Sequence, residues 1–289
     1  MSWRTVVISG RCKLDLKMGY MVIRGEEIRR VYLEEISSLI IENNAVALTG
    51  CLLEALVNKN VKVIFCDSKR NPCSELVPMY GSHDTSRKIR RQAKWSDEVK
   101  SEVWTAIVTE KIRNQAKHLA DAGMADASAL LCKYIGEIKP NDAGNREGHA
   151  AKVYFNSLFG KEFNRNLECP TNAALNYGYG IMLSTFNREV SANGYLTQLG
   201  LFHDNTYNQF NLSSDLMEPF RICIDRKVRQ ECFEQFERKE KYAVLAVMNE
   251  YVEIDGMLQT VANAVKIYVR SVFEAIEQNN ISLIRFAEI

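Results

Sequence analysis

The run Pro78-Met-Tyr-Gly-Ser-His-Asp-Thr-Ser-Arg-Lys-Ile-Arg-Arg-Gln-Ala-Lys94 divides the chain into two kinds of sequence. Before it, short segments rich in Val, Ile and Tyr alternate with turn residues. After it helical periodicity dominates and proline is confined to Pro140, Pro170 and Pro219. The fold class that follows is α+β in two domains. A small N-terminal β-sheet domain takes residues 1–80, a linker 81–86, and a larger all-α C-terminal domain 87–289.

On the N-terminal side, residues 5–9, 12–16, 20–24 and 28–33 read as strands, broken by turn pairs such as Ser9-Gly10 and Arg24-Gly25. Residues 39–42 and 61–66 read as two more. Between them Leu48, Cys51, Leu52 and Ala55 form one helical stripe over 47–57, with Asn58 and Asn60 suited to end it. A meander with one short helix is expected. On the C-terminal side the periodicity predicts helices over 85–120, 126–138, 145–158 and 170–190, the last opening on Pro170. An irregular stretch over 191–212 precedes helices over 213–238, with Ser213 or Ser214 as N-cap, and 257–278. There is no internal repeat and no low-complexity segment.

Bulk properties exclude several classes. At 289 residues, 46% apolar and 25% charged, the chain is an ordinary globular sequence rather than a disordered one. No apolar run approaches the roughly 18 residues of a membrane span, and the N-terminus lacks a signal peptide's long apolar core. A cytoplasmic protein without membrane contact is expected. The eight cysteines include no C-x-x-C pair, which argues against zinc and for reduced thiols. Cys51, Cys132, Cys223 and Cys232 are expected to act as small hydrophobes. A net charge of +1 gives no overall attraction to nucleic acid, so any such role must rest on clusters.

Chemistry concentrates in two segments. In 145–158, Glu147, Ala150, Ala151 and Tyr154 share a helix face. A carboxylate on such a stripe is paired, protonated or metal-bound; a first-turn Glu favoured by the helix dipole is the plainer alternative. In 200–221, His203 precedes a helix on which Asp215 and Glu218 stand three apart, and Pro219 is tolerable in a first turn. The set suits Mg²⁺ or Mn²⁺ completed by substrate phosphate and water. Taken singly, each acid also reads as a helix N-terminus and His203 as a loop histidine. His149 falls about 200° from Glu147 and reads as a substrate or interface contact. His83 and His118 read as solvated. Arg87, Lys88, Arg90, Arg91 and Lys94 form a basic run without an acid, Arg221, Arg226, Lys227 and Arg229 a second group, and Lys152, Lys161 and Arg165 flank the 145–158 helix. Such runs are solvated surface or phosphodiester contacts. No zinc finger, helix-turn-helix, P-loop or dinucleotide glycine motif is visible.

Three segments, Arg146-Glu-Gly-His-Ala-Ala-Lys-Val-Tyr-Phe155, Asn172-Ala-Ala-Leu-Asn-Tyr-Gly-Tyr179 and Gly200-Leu-Phe-His203 leading to Asp215-Leu-Met-Glu-Pro-Phe-Arg221, give the chain a family likeness. It resembles the integrase subunit of CRISPR adaptation, most closely the version beside single-effector (type II) systems. The resemblance implies metal ligands at Glu147, His203 and Glu218, with Asp215 at the other acidic position of the last motif and all four catalytic. It implies a Mg²⁺- or Mn²⁺-dependent DNA integrase and endonuclease that joins 3′-hydroxyl ends of short captured DNA to the CRISPR repeat by transesterification. Arg146 and Arg221, with the basic run, are the expected DNA contacts; residues 172–179 would pack beside the site, and Tyr154 and Tyr177 could touch DNA. The expected partners are double-stranded DNA, a second copy joined through the β domain, and a small ferredoxin-like adaptation subunit completing a heterohexamer. The alternatives are a non-catalytic DNA-end-binding scaffold whose acids cap helices, and a metal-dependent phosphoesterase acting on other nucleic acids.

Overall fold

Alternating apolar residues make strands of Arg4–Ile8 (β1), Cys12–Lys17 (β2), Tyr20–Arg24 (β3), Ile28–Tyr32 (β4), Ile36–Ile41 (β5) and Val46–Leu48 (β6). Helix α1, Gly50–Asn58, is capped by the Thr49 hydroxyl, and Lys62–Cys66 (β7) and Pro72–Leu76 (β8) follow. This computed structural model describes residues 4–68, 70–76, 78 and 84–289. The chain divides into two units, Met1–Met79 and Tyr80–Ile289. Residues 81–83, including His83 and half of the expected linker, lie outside the described residues, while Thr85 already opens a helix.

The first unit is not a meander. One sheet has the order β4-β3-β2-β6 and the other β1-β5-β7-β8, in which β1, β5 and β7 run parallel. Parallel neighbours need crossovers, and α1 lies on the one from β5 to β7. Leu14, Met21, Leu39, Leu52, Leu56 and Val63 close the core. Strands β6 and β8 were not anticipated: one has three residues, and the other begins with a proline.

The second unit is mostly helical: α2 Thr85–Gln92, α3 Asp97–Asp121, α4 Ala125–Ile135, α5 Arg146–Phe159, α6 Pro170–Ala192, α7 Asn211–Met217, α8 Arg221–Glu231, α9 Arg238–Ala246 and α10 Val261–Gln278. Helices α3 and α6 are buried along much of their length, and both bury polar as well as apolar side chains. Trp104, Phe186, Phe220 and Tyr268 are fully buried among them.

Three expected helices are interrupted, each for a local reason. The helix over 85–120 breaks at 93–96, where the Ser96 hydroxyl accepts from Val99 N at 3.3 Å and starts α3 afresh. The helix over 213–238 begins at Asn211, after Phe210, so neither Ser213 nor Ser214 caps it. It also divides, because Pro219 lacks an N–H; Glu218–Phe220 forms a tight 3-10 turn between α7 and α8, and Cys232 in a left-handed conformation ends α8. The first residues of 257–278 are strand. Asp255 and Gly256, both at positive φ (58° and 71°), turn Tyr251–Ile254 (β9) into Met257–Thr260 (β10), and Ala287–Glu288 (β11) completes a three-stranded sheet.

All eight cysteines are free, yet Cys51, Cys132 and Cys232 are exposed, and of the four expected small hydrophobes only Cys223 is buried. Among the described residues no helix is long and apolar enough to cross a membrane.

Candidate active site

The approach to α5 is wound tightly. Asn141, Asp142 and Asn145 all have positive φ (58°, 48° and 50°), a region only Asn, Asp and Gly enter cheaply. Asp142 then caps the helix twice, its carboxylate accepting from Arg146 N at 2.8 Å and Glu147 N at 3.0 Å, while Asn145 Oδ1 accepts from Gly148 N at 3.2 Å. Four orphan donors are nearly all satisfied, and the backbone of Glu147 is fixed at the residue itself.

Glu147 faces α3. There Lys111 Nζ lies 2.5 Å from Glu147 Oε1 and 2.5 Å from Glu218 Oε2. Glu218 is 4% exposed, and its Oε2 has no hydrogen-bond partner, so the contact with Lys111 is an ion pair rather than an aligned bond. Its Oε1 accepts from Arg221 Nε at 2.9 Å. Burial works to raise the Glu218 carboxyl, but the Arg221 guanidinium and the Lys111 ammonium outweigh it and hold the group below its usual value. Burial likewise opposes the charge on Lys111, and Glu218 and Glu147 together overcome it.

Asp215 has a different task. It is 0% exposed, and its carboxylate accepts from Leu201 N (2.6 Å), Phe202 N (3.0 Å), His203 N (3.2 Å) and His203 Nδ1 (2.5 Å). The loop can wrap this closely only because position 200 is glycine; a Cβ there would meet Asp215 Oδ2 at 2.9 Å and the carbonyl of His203. The hydrogen bond to Asp215 raises the His203 imidazole above its usual value. With Nδ1 held by Asp215, Nε2 is the ring nitrogen left over. Phe202 stacks on Trp104 at 4.6 Å, and the Trp104 ring meets His203 edge-on at 5.7 Å.

Glu147, His203 and Glu218 therefore line one cleft of about 290 Å³, with Lys111, Arg221, Arg165, Tyr179, Gln115 and Asp225. Among the described residues no group of three or more His, Cys, Asp or Glu side chains is placed to hold a metal ion. Lys111 stands between the carboxylates where such an ion would sit. Two carboxylates sharing one cation, an Oε2 without a hydrogen bond and an uncommitted imidazole nitrogen fit a small divalent ion, with Lys111 as its stand-in.

Several of these residues escaped sequence reasoning. Lys111, Gln115 and His118 lie at i, i+4 and i+7 on α3 and all three are buried, but α3 carries too many polar residues for that stripe to stand out in the sequence. His118 is not solvated. It is buried, its Nδ1 is 2.7 Å from the Tyr154 hydroxyl, and burial lowers its pKa to about 4. Tyr154 and Tyr177 are buried too, which removes them as DNA contacts. Asp225 is buried against the Tyr179 hydroxyl, and burial raises its pKa to about 6. Two guanidiniums stand over the Tyr179 ring, Arg221 at 4.7 Å and Arg165 at 5.3 Å, and Arg165 is held by Asn172 Oδ1 and Asn176 Oδ1. Arg146 does not line the cleft: Glu137 holds it at 2.8 Å beside the Tyr134 ring, and the exposed His149 is its neighbour.

Arg87, Lys88, Arg90 and Arg91 lie on α2 and Lys94 just past its end, and all but Lys88 line a groove of about 500 Å³. Arg87 and Lys88 pair with Asp84 at 2.7 and 3.1 Å, and Arg91 pairs with Glu277. Arg90 and Lys94 make no ion pair among the described residues.

Residues 5–247 match the family described as CRISPR associated protein Cas1. The chain is 36% identical over 229 residues to the CRISPR-associated endonuclease Cas1 of Neisseria meningitidis serogroup C (strain 8013), covering 79% of this chain and 75% of that one. It is 25% identical over 248 residues to the CRISPR-associated endonuclease Cas1 1 of Francisella tularensis subsp. novicida (strain U112), covering 78% of each. Its fold is similar to that of a CAS1 protein from Thermotoga maritima, with a TM-score of 0.77 at 15% identity over 95% of this chain and 97% of that one. It is also similar to a casposase bound to integration product, with a TM-score of 0.76 at 16% identity over 97% and 92%.

Proposed function

The chain belongs to the CRISPR-associated Cas1 family, and from that premise and its cleft we propose that it is a metal-dependent DNA endonuclease and integrase of CRISPR adaptation. Its reaction joins the 3′-hydroxyl ends of short captured DNA to the CRISPR repeat by transesterification, with hydrolysis when water replaces the hydroxyl. The observation that carries this reading is the convergence of Glu147 and Glu218 on one cation beside the ring of His203.

Glu147, His203 through Nε2, and Glu218 would hold a Mg²⁺ or Mn²⁺ ion. The ion supplies Lewis-acid stabilisation of the charge that grows on the phosphoryl oxygens. Asp215 works through His203: it fixes the ring's tautomer and orientation and does not touch substrate. Arg221, anchored on Glu218 and on the face of Tyr179, presents its charge to the cleft, and Arg165 does so from the segment between α5 and α6. Both suit a phosphodiester, whose developing negative charge a preoriented guanidinium stabilises. Arg87, Lys88, Arg90, Arg91 and Lys94 serve as backbone contacts further along the duplex, with Arg90 and Lys94 the most available. Residues 1–80 form the dimerisation domain, residues 81–86 link it to the catalytic domain at 87–289, and a small ferredoxin-like subunit bridges two dimers into a heterohexamer in the cytoplasm. A likeness of fold to a Cas6-RT-Cas1--Cas2 complex, with a TM-score of 0.75 at 15% identity over 97% of this chain and 36% of that one, supports a protein partner.

The test is strand transfer between a short duplex with 3′-hydroxyl ends and a supercoiled plasmid carrying the repeat, with and without the small subunit. Glu147→Ala and His203→Ala should lower the metal-dependent rate by at least about a thousandfold, since loss of the ion removes several kcal/mol of transition-state stabilisation. Folding should be retained. Wild-type rates in either variant refute the assignment. DNA binding that is unaffected by chelator, without a covalent joint, indicates a scaffold instead. Cleavage without joining indicates a phosphoesterase.

A further inference from the structure

At the centre of the cleft the chain supplies its own counter-charges. Two carboxylates, Glu147 and Glu218, face two cations, Lys111 and Arg221; Lys111 and Glu218 are buried, and Glu147 and Arg221 partly so. Arg221 takes Glu218 Oε1, and Lys111 takes the remaining Oε2 together with Glu147 Oε1. These last two oxygens each lie 2.5 Å from one nitrogen, so they are no further apart than twice that distance. A divalent ion added beside Lys111 and Arg221 would meet two like charges already seated on the same carboxylates, which is costly. Lys111 has a flexible four-carbon stem and holds the carboxylates as a point charge, so it is the member that can leave. Arg221 is anchored by its planar fork and by the Tyr179 ring.

We propose that Lys111 is a built-in counter-ion which a divalent metal displaces and which then pairs with a DNA phosphate, so that metal and DNA bind this cleft cooperatively. The proposal rests on the metal-centre reading above and adds to it the order of events. Without DNA the displaced ammonium has no partner, and the metal is held weakly. A phosphodiester brings the negative charge that the ammonium requires. By linkage each ligand then strengthens the other by the same factor. Lys111 is a positioning residue here, and its effect shows in binding before any chemistry occurs.

Free Mn²⁺ measured by electron paramagnetic resonance tests this in the full-length chain, with and without a short DNA duplex. Wild type should bind Mn²⁺ about tenfold more tightly when the duplex is present. Lys111→Met should bind about tenfold more tightly than wild type in the absence of DNA and gain little from the duplex, and Lys111→Arg should resemble wild type. A Lys111→Met protein that binds Mn²⁺ no tighter than wild type, or keeps the full gain from DNA, overturns the proposal. If wild type shows no Mn²⁺ site sensitive to Glu147→Gln under either condition, the metal centre itself fails, and this inference with it. An independent measurement needs no variant: acylation of the Lys111 amine in wild type, read by mass spectrometry, should rise severalfold on adding Mn²⁺. Unchanged labelling in the metal-loaded protein also overturns it.

Discussion

The two units differ in what they keep from water. In residues 4–68, the described part before the first gap, the core is aliphatic, and the buried charged side chains are Glu42 and Lys62 alone. The helical unit buries Glu110, Lys111, His118, Asp142, Glu189, Asp215, Glu218, Asp225 and Lys241. Burying a charge costs several kcal/mol unless partners repay it, so a unit with no charged cleft to build avoids doing so. The contrast separates a region built for stability from one in which stability is spent on arranging charge.

The sharpest way to break that contrast is to remove an organiser rather than a ligand. Asp215→Ala leaves three backbone N–H groups of the 201–203 loop without their acceptor, at about 1–3 kcal/mol each. Hydrogen exchange at those amides should accelerate by at least a hundredfold, and strand transfer should fall with it. Exchange within threefold of wild type would mean that the loop holds itself. In the first unit Leu52→Ala should cost about 3 kcal/mol, the ordinary penalty for a cavity in an apolar core. That loss should be the same at pH 5 and pH 7, and a pH-dependent loss in urea unfolding would blur the distinction.

The smallest effect is a slope. His118 has a folded-state pKa of about 4 against a usual 6.5, so the unfolded chain binds its proton first. Its contribution is present above pH 6.5 and is lost as pH falls toward 4, by up to about 3 kcal/mol at the full shift. Asp225 works the other way: its pKa is raised to about 6 from 3.8, so acidification between those values relieves its burial. The measurement is therefore a difference. His118→Gln should lose less stability than wild type between pH 6.5 and 4.5, and an equal loss would show that His118 titrates normally.

What could be read from the sequence follows the same divide. The strands of the first unit show locally as short runs rich in Val, Ile and Leu between turn residues, and β5 and β7 are buried on both faces. Sheet order does not show, since parallel pairing of β1, β5 and β7 is settled by distant residues. In the helical unit the helices are visible, but periodicity continues across the breaks at Ser96 and Pro219, and the strand Met257–Thr260 reads as the start of the helix that follows it. Glu147, His203, Asp215 and Glu218 are undistinguished one by one, and only the order and context of the three motifs single them out. Lys111 is not singled out at all, because nothing local distinguishes a lysine that faces two acids from distant segments from one that faces solvent.

The wound entry to α5 has a consequence for anyone who would engineer with this cleft. A designer lifting Glu147 into another bundle on its helix alone would lose the clamp that sets how far the carboxylate projects. Asn141, Asp142 and Asn145 hold left-handed turns ahead of the helix, and Asn141 N is in turn tied to the Thr105 hydroxyl of α3 at 2.9 Å. The smallest transplantable part is therefore a cassette of residues 140–148 with a docking threonine on the neighbouring helix.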